Sequence, residues 1–388
     1  MKYLRQGFEA PLFAAGPPVE SFLSAAQNND PNLYPGQRPE GSYVTDGQNT
    51  YNVQVTAQGG EHFFSIASDQ GQVDLDAFLQ LQGVPRLNER IPIVAFGANM
   101  SPGSLASKFR KDVVRGEDGV ERNNRPDLLV VPTVYGELAD HDVVWSGGPG
   151  SNGNFTAVLY GGEKVQGTSV QVGINFLTPE QLLMLHATEL NYDLAETTVS
   201  VAGAPIRAYY YVGTDSMYLH DGAPVAVSSI PAHRRRLPGA STRQLLEHVL
   251  ADPNISAAVA KRYPEITGVT DATVYQSFIK TLKAPKGSGG TPRRDLQQFV
   301  QKQLAARGLV GDTGGQHGTA SWANPSKLAT YGQQKRGIRH NDLYQLPSQV
   351  LEASRWVNPA ERNRVLKSIG EHLVRISGGK LRPLKKKG

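Results

Sequence analysis

The chain has 388 residues, which is enough for two or three domains of about 100–200 residues each. Hydrophobic residues make up 39% of the chain, and its mean hydropathy is −0.37. Cysteine is absent, which excludes disulfides, thiolate zinc sites and a cysteine nucleophile. No run of about 18 apolar residues is present, and the first residues lack an apolar signal core, so we expect no membrane span and predict a cytoplasmic protein.

The net charge of +5 conceals an uneven distribution of charged residues. Residues 1–230 carry 13 Lys and Arg against 25 Asp and Glu, whereas residues 231–388 carry 27 against 10. Such a basic region indicates contact with nucleic acid or with an acidic protein, and Arg234–Arg236 is one cluster that would neutralise phosphates. An ordinary solvated basic surface explains the same composition, and the aromatic residues nearby form no recognisable stacking motif.

The N-terminal part of the chain is predicted to be an irregular arm that contains one β-hairpin. Residues 10–50 are rich in Pro, Gly, Asn and Gln, with little periodicity, which is typical of irregular sequence. Tyr51–Val55 alternates apolar and polar residues as a strand does. Its predicted partner, His62–Ala67, follows a turn at the glycines in positions 59–60.

An α+β domain with a curled mixed sheet is predicted next. The apolar run Ile91–Phe96 ends at Gly97, and Ser101-Pro102 then begins a helix, with Ser as N-cap and Pro at the first helical position. Thr178-Pro179 begins a second helix in the same way. Several strands around few helices favour this fold class. The strand-like segments are residues 128–135, 155–160, 165–176 and 204–212.

The C-terminal part is predicted to be basic and mainly helical, with flexible linkers. The helical patterns cover residues 241–250, 273–282, 295–307 and 359–376, and the linkers cover 283–294 and 308–337. We therefore divide the chain into an arm (1–90), an α+β domain (91–230) and a basic region (231–388).

The turn Phe96–Met100 is the first candidate site. Gly97 permits a sharp turn and the close approach of a ligand. Backbone N–H groups in such a turn, followed by a helix N-terminus, form an anion or oxyanion site. Taken alone, a plain connection between a strand and a helix explains the same residues.

Glu189 is the second candidate. It follows Leu182 by seven residues and Leu185 by four, which puts it on the apolar face of the helix. Burial would raise the pKa of its carboxyl group toward neutral, as a general acid/base requires. Alternatively, Glu189 bends into solvent at the helix end. His186, one helical turn earlier, either contacts Glu189 or is simply packed or exposed to solvent.

The remaining motifs carry no recognisable chemistry. Residues 147–153 are glycine-rich but lack the Gly-Lys-Ser/Thr ending of a phosphate-binding loop, so we predict an ordinary loop. The nine histidines show no metal-ligand spacing, and no Gly-x-Ser-x-Gly nucleophile elbow is present. We expect no metal site.

Five segments together resemble the γ-glutamylcyclotransferase-like superfamily: Ala95–Pro102, Val134–Leu138, Asn154–Leu159, Val165–Gly167 and Leu182–Tyr192. In that family a Tyr-Gly-Ser-Asn turn follows the first strand. A strand pair with a Val-x-Gly step comes next, and then a helix that ends in a catalytic Glu with a Tyr soon after. The resemblance covers about 120 of the 388 residues, from roughly 91 to 212.

The resemblance implies a small mixed β-barrel with a cavity and a reaction without metal or cofactor. The α-amine of a γ-glutamyl amine or dipeptide would attack its own γ-carbonyl, which releases 5-oxoproline. Glu189 would be the general acid/base. The residues that would bind the substrate are Phe96, Gly97, Ala98, Asn99, Met100 and Tyr192.

Two departures from the family pattern support an alternative function. Phe96 stands where the family has Tyr, so it has no hydroxyl, and Ala98 stands where the family has Ser. The change at Phe96, together with the long extensions on both sides, favours a structural or binding protein built on the same fold without catalysis. Its basic region, 231–388, would then contact nucleic acid or an acidic partner.

Overall fold

A computed structural model describes a large part of the chain. The described residues are 10–22, 34–109, 113–115, 121–123, 126–149, 155–186, 192–213, 216–262, 264 and 292–312.

Strands predominate among these residues. They are β1 Tyr43–Thr45, β2 Thr50–Gln58, β3 Glu61–Ser68, β4 Gly71–Asp74, β5 Ile91–Ala95, β6 Val113–Arg115, β7 Glu121–Asn123, β8 Pro132–Ala139, β9 Asp142–Pro149, β10 Phe155–Tyr160, β11 Ser169–Leu177, β12 Tyr192–Val201, β13 Ala204–Gly213, β14 Ser216–His220, β15 Ala223–Pro224, β16 Ala226–Val227, β17 Ala232–His233, β18 Gly239–Ala240 and β19 Val310–Asp312. The α-helices are α1 Leu75–Leu81, α2 Pro102–Phe109, α3 Pro179–His186, α4 Thr242–Ala251, α5 Pro253–Arg262 and α6 Pro292–Ala306.

Five strands close into a small mixed barrel in the order β8, β11, β5, β13, β12 and back to β8. All neighbours are antiparallel except β5 and β13, which are parallel. The closing contact between β12 and β8 pairs Ser200 with Glu137. The predicted mixed β-structure with few helices is therefore confirmed at this coarse level.

Aliphatic and aromatic side chains fill the barrel. One cross-strand row consists of Val134, Ile174, Val94, Tyr210 and Ala195, all of which are buried. Residues that pair directly across strands share a face of the sheet. The neighbouring row, on the opposite face of the same strands, ends in the exposed Glu196. That face therefore points outward, and the first row faces the interior of the barrel.

Tight turns fix the register of two hairpins. The β2–β3 hairpin turns at Gly59 and Gly60, both with positive φ, and it pairs as predicted from the sequence. The β12–β13 hairpin turns at Ala202 and Gly203, again with positive φ at both residues. Two consecutive residues of this kind match the right-handed twist of the adjoining strands.

Outer strands extend the barrel on two sides. On one side, β1 pairs with β8, and β2, β3 and β4 follow β1 in the same sheet. Helix α1 packs on these strands through Phe78 and Leu79. The second sheet is built around β9, which pairs with β10, β14 and β16. Strand β1 lies within the stretch that composition describes as irregular, and Tyr43 and Val44 are wholly buried there.

The prediction of a loop at 147–153 is wrong for its first three residues. Gly147, Gly148 and Pro149 complete β9. A Cβ at Gly147 would lie 2.3 Å from Ser216 Oγ, and one at Gly148 would lie 3.1 Å from the side chain of Gln301. These glycines therefore serve close packing in a strand, because β14 and α6 approach its backbone.

Helices dominate the described part of the basic region. The Ser241 hydroxyl accepts from Gln244 N–H and begins α4, one residue from the predicted start. Helix α6 buries Val300 and Leu304, as the apolar spacing predicted, but it begins at Pro292, inside the predicted linker. The predicted helices at 273–282 and 359–376 lie outside the described residues, and the proposed domain boundaries stay predictions.

None of the described helices is both long and apolar enough to cross a membrane.

Candidate functional site

The turn after β5 is the candidate site that the structure defines best. Residues Ala98–Met100 form a 3₁₀ turn, in which Met100 N–H donates to Gly97 O and Ser101 N–H donates to Ala98 O, both at 3.0 Å. Helix α2 follows at Pro102, as predicted. The Ser101 hydroxyl donates to Phe22 O at 3.3 Å, so it tethers the arm.

Buried polar side chains hold the carbonyl groups of this turn. Asn175 Nδ2 donates to Asn99 O at 3.0 Å, and the Tyr43 hydroxyl donates to Met100 O at 3.0 Å. The Thr133 hydroxyl donates to Asn175 Oδ1 at 2.9 Å. Asn175, Thr133 and Tyr43 are wholly buried. A buried polar group without a partner is costly, so this chain of hydrogen bonds fixes the turn in one conformation.

The beginning of the turn presents donors. Among the described residues, no hydrogen bond uses the N–H groups of Gly97 and Ala98, and both residues are partly exposed. Lys108 Nζ donates to Asn99 Oδ1 at 2.6 Å and adds positive charge beside the turn. Consecutive backbone donors near a cation suit an anion or a developing oxyanion.

A segment of the arm lies over this turn. We call residues 34–42 the N-terminal strap. The Tyr34 hydroxyl accepts from Ala157 N–H at 2.6 Å, and its ring lies 5.7 Å from that of Trp145. A Cβ at Gly97 would lie 2.9 Å from the same hydroxyl oxygen. Tyr34 therefore brings a hydroxyl to the turn beside Phe96, which is buried and has none.

Arg38 is the positively charged residue of the N-terminal strap. Its Nη1 donates to Met100 Sδ at 3.3 Å, and its Nη2 donates to Ser229 O at 3.2 Å. In the part of the chain that the structure describes, no carboxylate pairs with it. Partial burial lowers the pKa of the guanidinium, and the neighbouring phenols of Tyr135 and Tyr43 oppose this effect.

Tyr135 pins the other end of the N-terminal strap to β8. Its hydroxyl donates to Pro39 O at 2.9 Å, and its backbone N–H donates to Ser42 Oγ at 2.9 Å. Burial raises the pKa of Tyr135 to about 12 and raises that of Tyr43 well above its ordinary value. Both phenols are therefore neutral donors at physiological pH.

The helix predicted to carry the general acid/base is present, although Glu189 itself lies outside the described residues. Thr178 caps α3, since its hydroxyl accepts from Gln181 N–H at 3.2 Å and its N–H donates to Gln181 Oε1 at 2.8 Å. Leu182 and Leu185 are wholly buried, as the apolar face requires. The described helix ends at His186.

The backbone of Tyr192, also predicted from the sequence, lies at the same end of the barrel as the turn. Tyr192 begins β12 and pairs with Gly213 of β13. Strand β13 runs parallel to β5 with Tyr209 opposite Ile93, and continuing that register puts Gly213 level with Gly97. Tyr192 lies two strands away from the end of β5, a distance of about 10 Å across the sheet, so β12 begins near the turn.

Arg235 differs from its sequence-based prediction. Its Nε and Nη2 donate to the carboxylate of Asp142 at 2.9 and 2.8 Å, and Nη2 also donates to Ile230 O. The Asp142 side chain is wholly buried. Arg235 is thus committed to an internal ion pair, whereas its neighbours Arg234 and Arg236 are exposed.

Sequence analysis missed Tyr34, Arg38, Tyr43 and Asn175. Two of them left a signal in the sequence. Arg38 is the only Lys or Arg between Arg5 and Arg86, and Asn175 interrupts the apolar pattern of β11. Within the described ranges, no group of three His, Asp or Glu residues is arranged to hold a metal ion.

Comparisons with known proteins found no match. No protein-family model matches the chain, and searches of curated proteins and of solved structures likewise found none. The resemblance to the γ-glutamylcyclotransferase-like superfamily therefore rests on the motifs and on the coarse architecture of the barrel.

Proposed function

We propose that this protein is a γ-glutamyl amine cyclotransferase-like enzyme that releases 5-oxoproline. The observation that carries the proposal is the turn after β5. There the N–H groups of Gly97 and Ala98, which have no partner among the described residues, lie at the end of a closed five-stranded barrel, on a turn that buried Asn175 and Tyr43 hold in place. Donors that are fixed before the substrate arrives stabilise negative charge without reorganisation during the reaction.

The chain path supports a role for Glu189 at this end of the barrel. Tyr192 begins β12 near the turn, and Glu189 precedes it by three residues. An extended chain covers at most about 10 Å in three residues. We therefore propose Glu189 as the general acid/base, acting beside the donors of the turn.

The proposed reaction needs few groups. The α-amine of the substrate attacks its own γ-carbonyl carbon, and the carbonyl oxygen becomes an oxyanion that accepts from the N–H groups of Gly97 and Ala98. Glu189 takes the proton from the attacking amine and gives it to the leaving amine as the old amide bond breaks. Intramolecular attack gains much of its rate from proximity, which suits so small a set of residues.

A direct test measures 5-oxoproline release from a panel of γ-glutamyl amines and γ-glutamyl dipeptides. We expect Glu189→Gln, which preserves shape but cannot accept a proton, to lower kcat by about 10²-fold or more. Glu163→Gln, at an exposed position of a 3₁₀ turn, is the matched control and should keep wild-type turnover.

Two outcomes would contradict parts of the proposal. Turnover that survives in Glu189→Gln would keep the enzyme but assign the proton transfer to another residue. A folded wild-type protein that releases no 5-oxoproline from any substrate would overturn the enzymatic function and favour the structural or binding alternative.

A further inference from the structure

Arg38 has an environment that is unusual for an arginine. Its guanidinium is half-buried between the turn after β5 and the segment that contains Ser229, and its two hydrogen-bond acceptors among the described residues, Met100 Sδ and Ser229 O, are uncharged. The phenols of Tyr43 and Tyr135, which act electrostatically on this guanidinium, are neutral. A cation removed partly from water without a counter-ion is destabilising, so the position favours binding of an anion.

The geometry of the guanidinium specifies which anion fits. Arginine has five N–H donors in a planar fork, and the bonds to Met100 and Ser229 leave donors available for a ligand. A planar fork binds a carboxylate through two parallel hydrogen bonds, which a lysine ammonium cannot do.

We propose that Arg38 binds the α-carboxylate of the γ-glutamyl group and thereby makes a free α-carboxylate a requirement for the substrate. This inference rests on the proposed function. Arg38 contacts the side chain of Met100, whose N–H closes the turn on Gly97, so the guanidinium lies against the same turn that carries the donors for the γ-carbonyl oxygen. A short carbon chain joins the α-carboxylate of a γ-glutamyl group to its γ-carbonyl, so the two groups require binding sites that lie close together.

The same contact assigns a function to the N-terminal strap. The bond between Ala157 of β10 and Tyr34 and the bond between Tyr135 of β8 and Pro39 hold the segment on either side of Arg38. The substrate site would therefore include a part of the chain that lies outside the family-like region of residues 91–212.

The test compares a γ-glutamyl amine with the analogue that carries an α-carboxamide in place of the α-carboxylate. We expect the wild type to prefer the carboxylate, and Arg38→Gln to lower kcat/KM for it by about 10- to 100-fold, as for loss of a charge-assisted hydrogen bond. The carboxamide should change little in Arg38→Gln. Arg38→Lys should recover part of the loss, and Arg207→Gln, an exposed arginine on β13, is the control.

Equal losses for both substrates in Arg38→Gln would overturn the proposal and show that Arg38 only supports the fold, which thermal unfolding of the variant would reveal. Failure of the proposed reaction is recognised separately, by absence of wild-type turnover. In that case, titration calorimetry with 5-oxoproline and with 5-oxoprolinamide tests directly whether Arg38 forms a carboxylate-binding site. Binding of the acid alone, lost in Arg38→Gln, supports a carboxylate site, and absence of binding to the wild type refutes it.

Discussion

Gly97 shows how tightly the residues of the candidate site are fitted. The Tyr34 hydroxyl oxygen and the Ala157 methyl group would lie only 2.9 and 3.3 Å from a Cβ at this position. Close approach, and not a left-handed backbone, is the reason that this position requires glycine. Tyr34 in turn is fixed by the Ala157 N–H group, so the strand, the turn and the N-terminal strap constrain one another.

Gly97→Ala should therefore destabilise the protein by about 1–3 kcal/mol, the usual range for overpacking. The loss should be smaller in a Tyr34→Phe background, because the atom closest to the added methyl group is then absent. Urea unfolding of the four proteins in a double-mutant cycle measures this coupling. Gly41→Ala is the control, since nothing lies within 4 Å of its Cβ position. An equal loss in both backgrounds would contradict the contact.

At the scale of secondary-structure elements, strand β9 joins the barrel to the C-terminal helices. It pairs with β10, β14 and β16, and α6 packs against its final glycines. The Trp145 indole N–H donates to Ala240 O at 2.9 Å, just before α4. At the other end of β9, Asp142 binds Arg235. The basic region is thus attached through particular contacts and not only through its charge.

Arg235→Met should lower the free energy of unfolding by about 3–5 kcal/mol, because it leaves the buried Asp142 carboxylate without its counter-ion. Arg236→Met, at the exposed neighbouring position, should change it by less than about 0.5 kcal/mol. Denaturant unfolding provides the comparison. Adding Asp142→Asn to Arg235→Met should recover part of the loss, and no recovery would mean that the pair does not act through its charges.

At the scale of the whole molecule, buried phenols determine the response to high pH. Burial raises the pKa of Tyr135 and of Tyr210 to about 12, from an ordinary value of 10.0. The folded state therefore keeps protons that the unfolded state releases between these values. Buried Arg90 has the opposite effect in the same window, because burial lowers its pKa to about 10.

Burial likewise lowers the pKa of Arg38, but several tyrosines oppose these two arginines, so the free energy of unfolding should fall as pH rises from about 10 toward about 12. Below pH 10 this contribution to stability is fully present. Tyr210→Phe removes one titrating group, so its stability should fall less steeply with pH than that of the wild type. Urea unfolding at a series of pH values measures both slopes. Identical slopes would show that Tyr210 does not contribute.

Local sequence patterns predicted many of the elements. The glycines at 59 and 60 predicted the β2–β3 hairpin, and Ser101-Pro102 and Thr178-Pro179 predicted the starts of two helices. Each signal acts within a few residues of the structure it encodes, through a turn conformation or a cap. The prediction at Gly147–Pro149 was wrong because the glycines there allow close packing of β14 and α6, which are distant in sequence, and do not form a loop.

The sequence by itself determined several apolar strands, the helix starts at Pro102 and Pro179, and the turn at Phe96–Met100 as a candidate site. Only the tertiary structure decided what surrounds that turn. Arg38 bonds to a carbonyl 191 residues away, and Tyr34 to an N–H group 123 residues away. Such contacts exist only once the barrel has closed and brought distant strands together, so no local pattern of propensity or hydrophobicity encodes them.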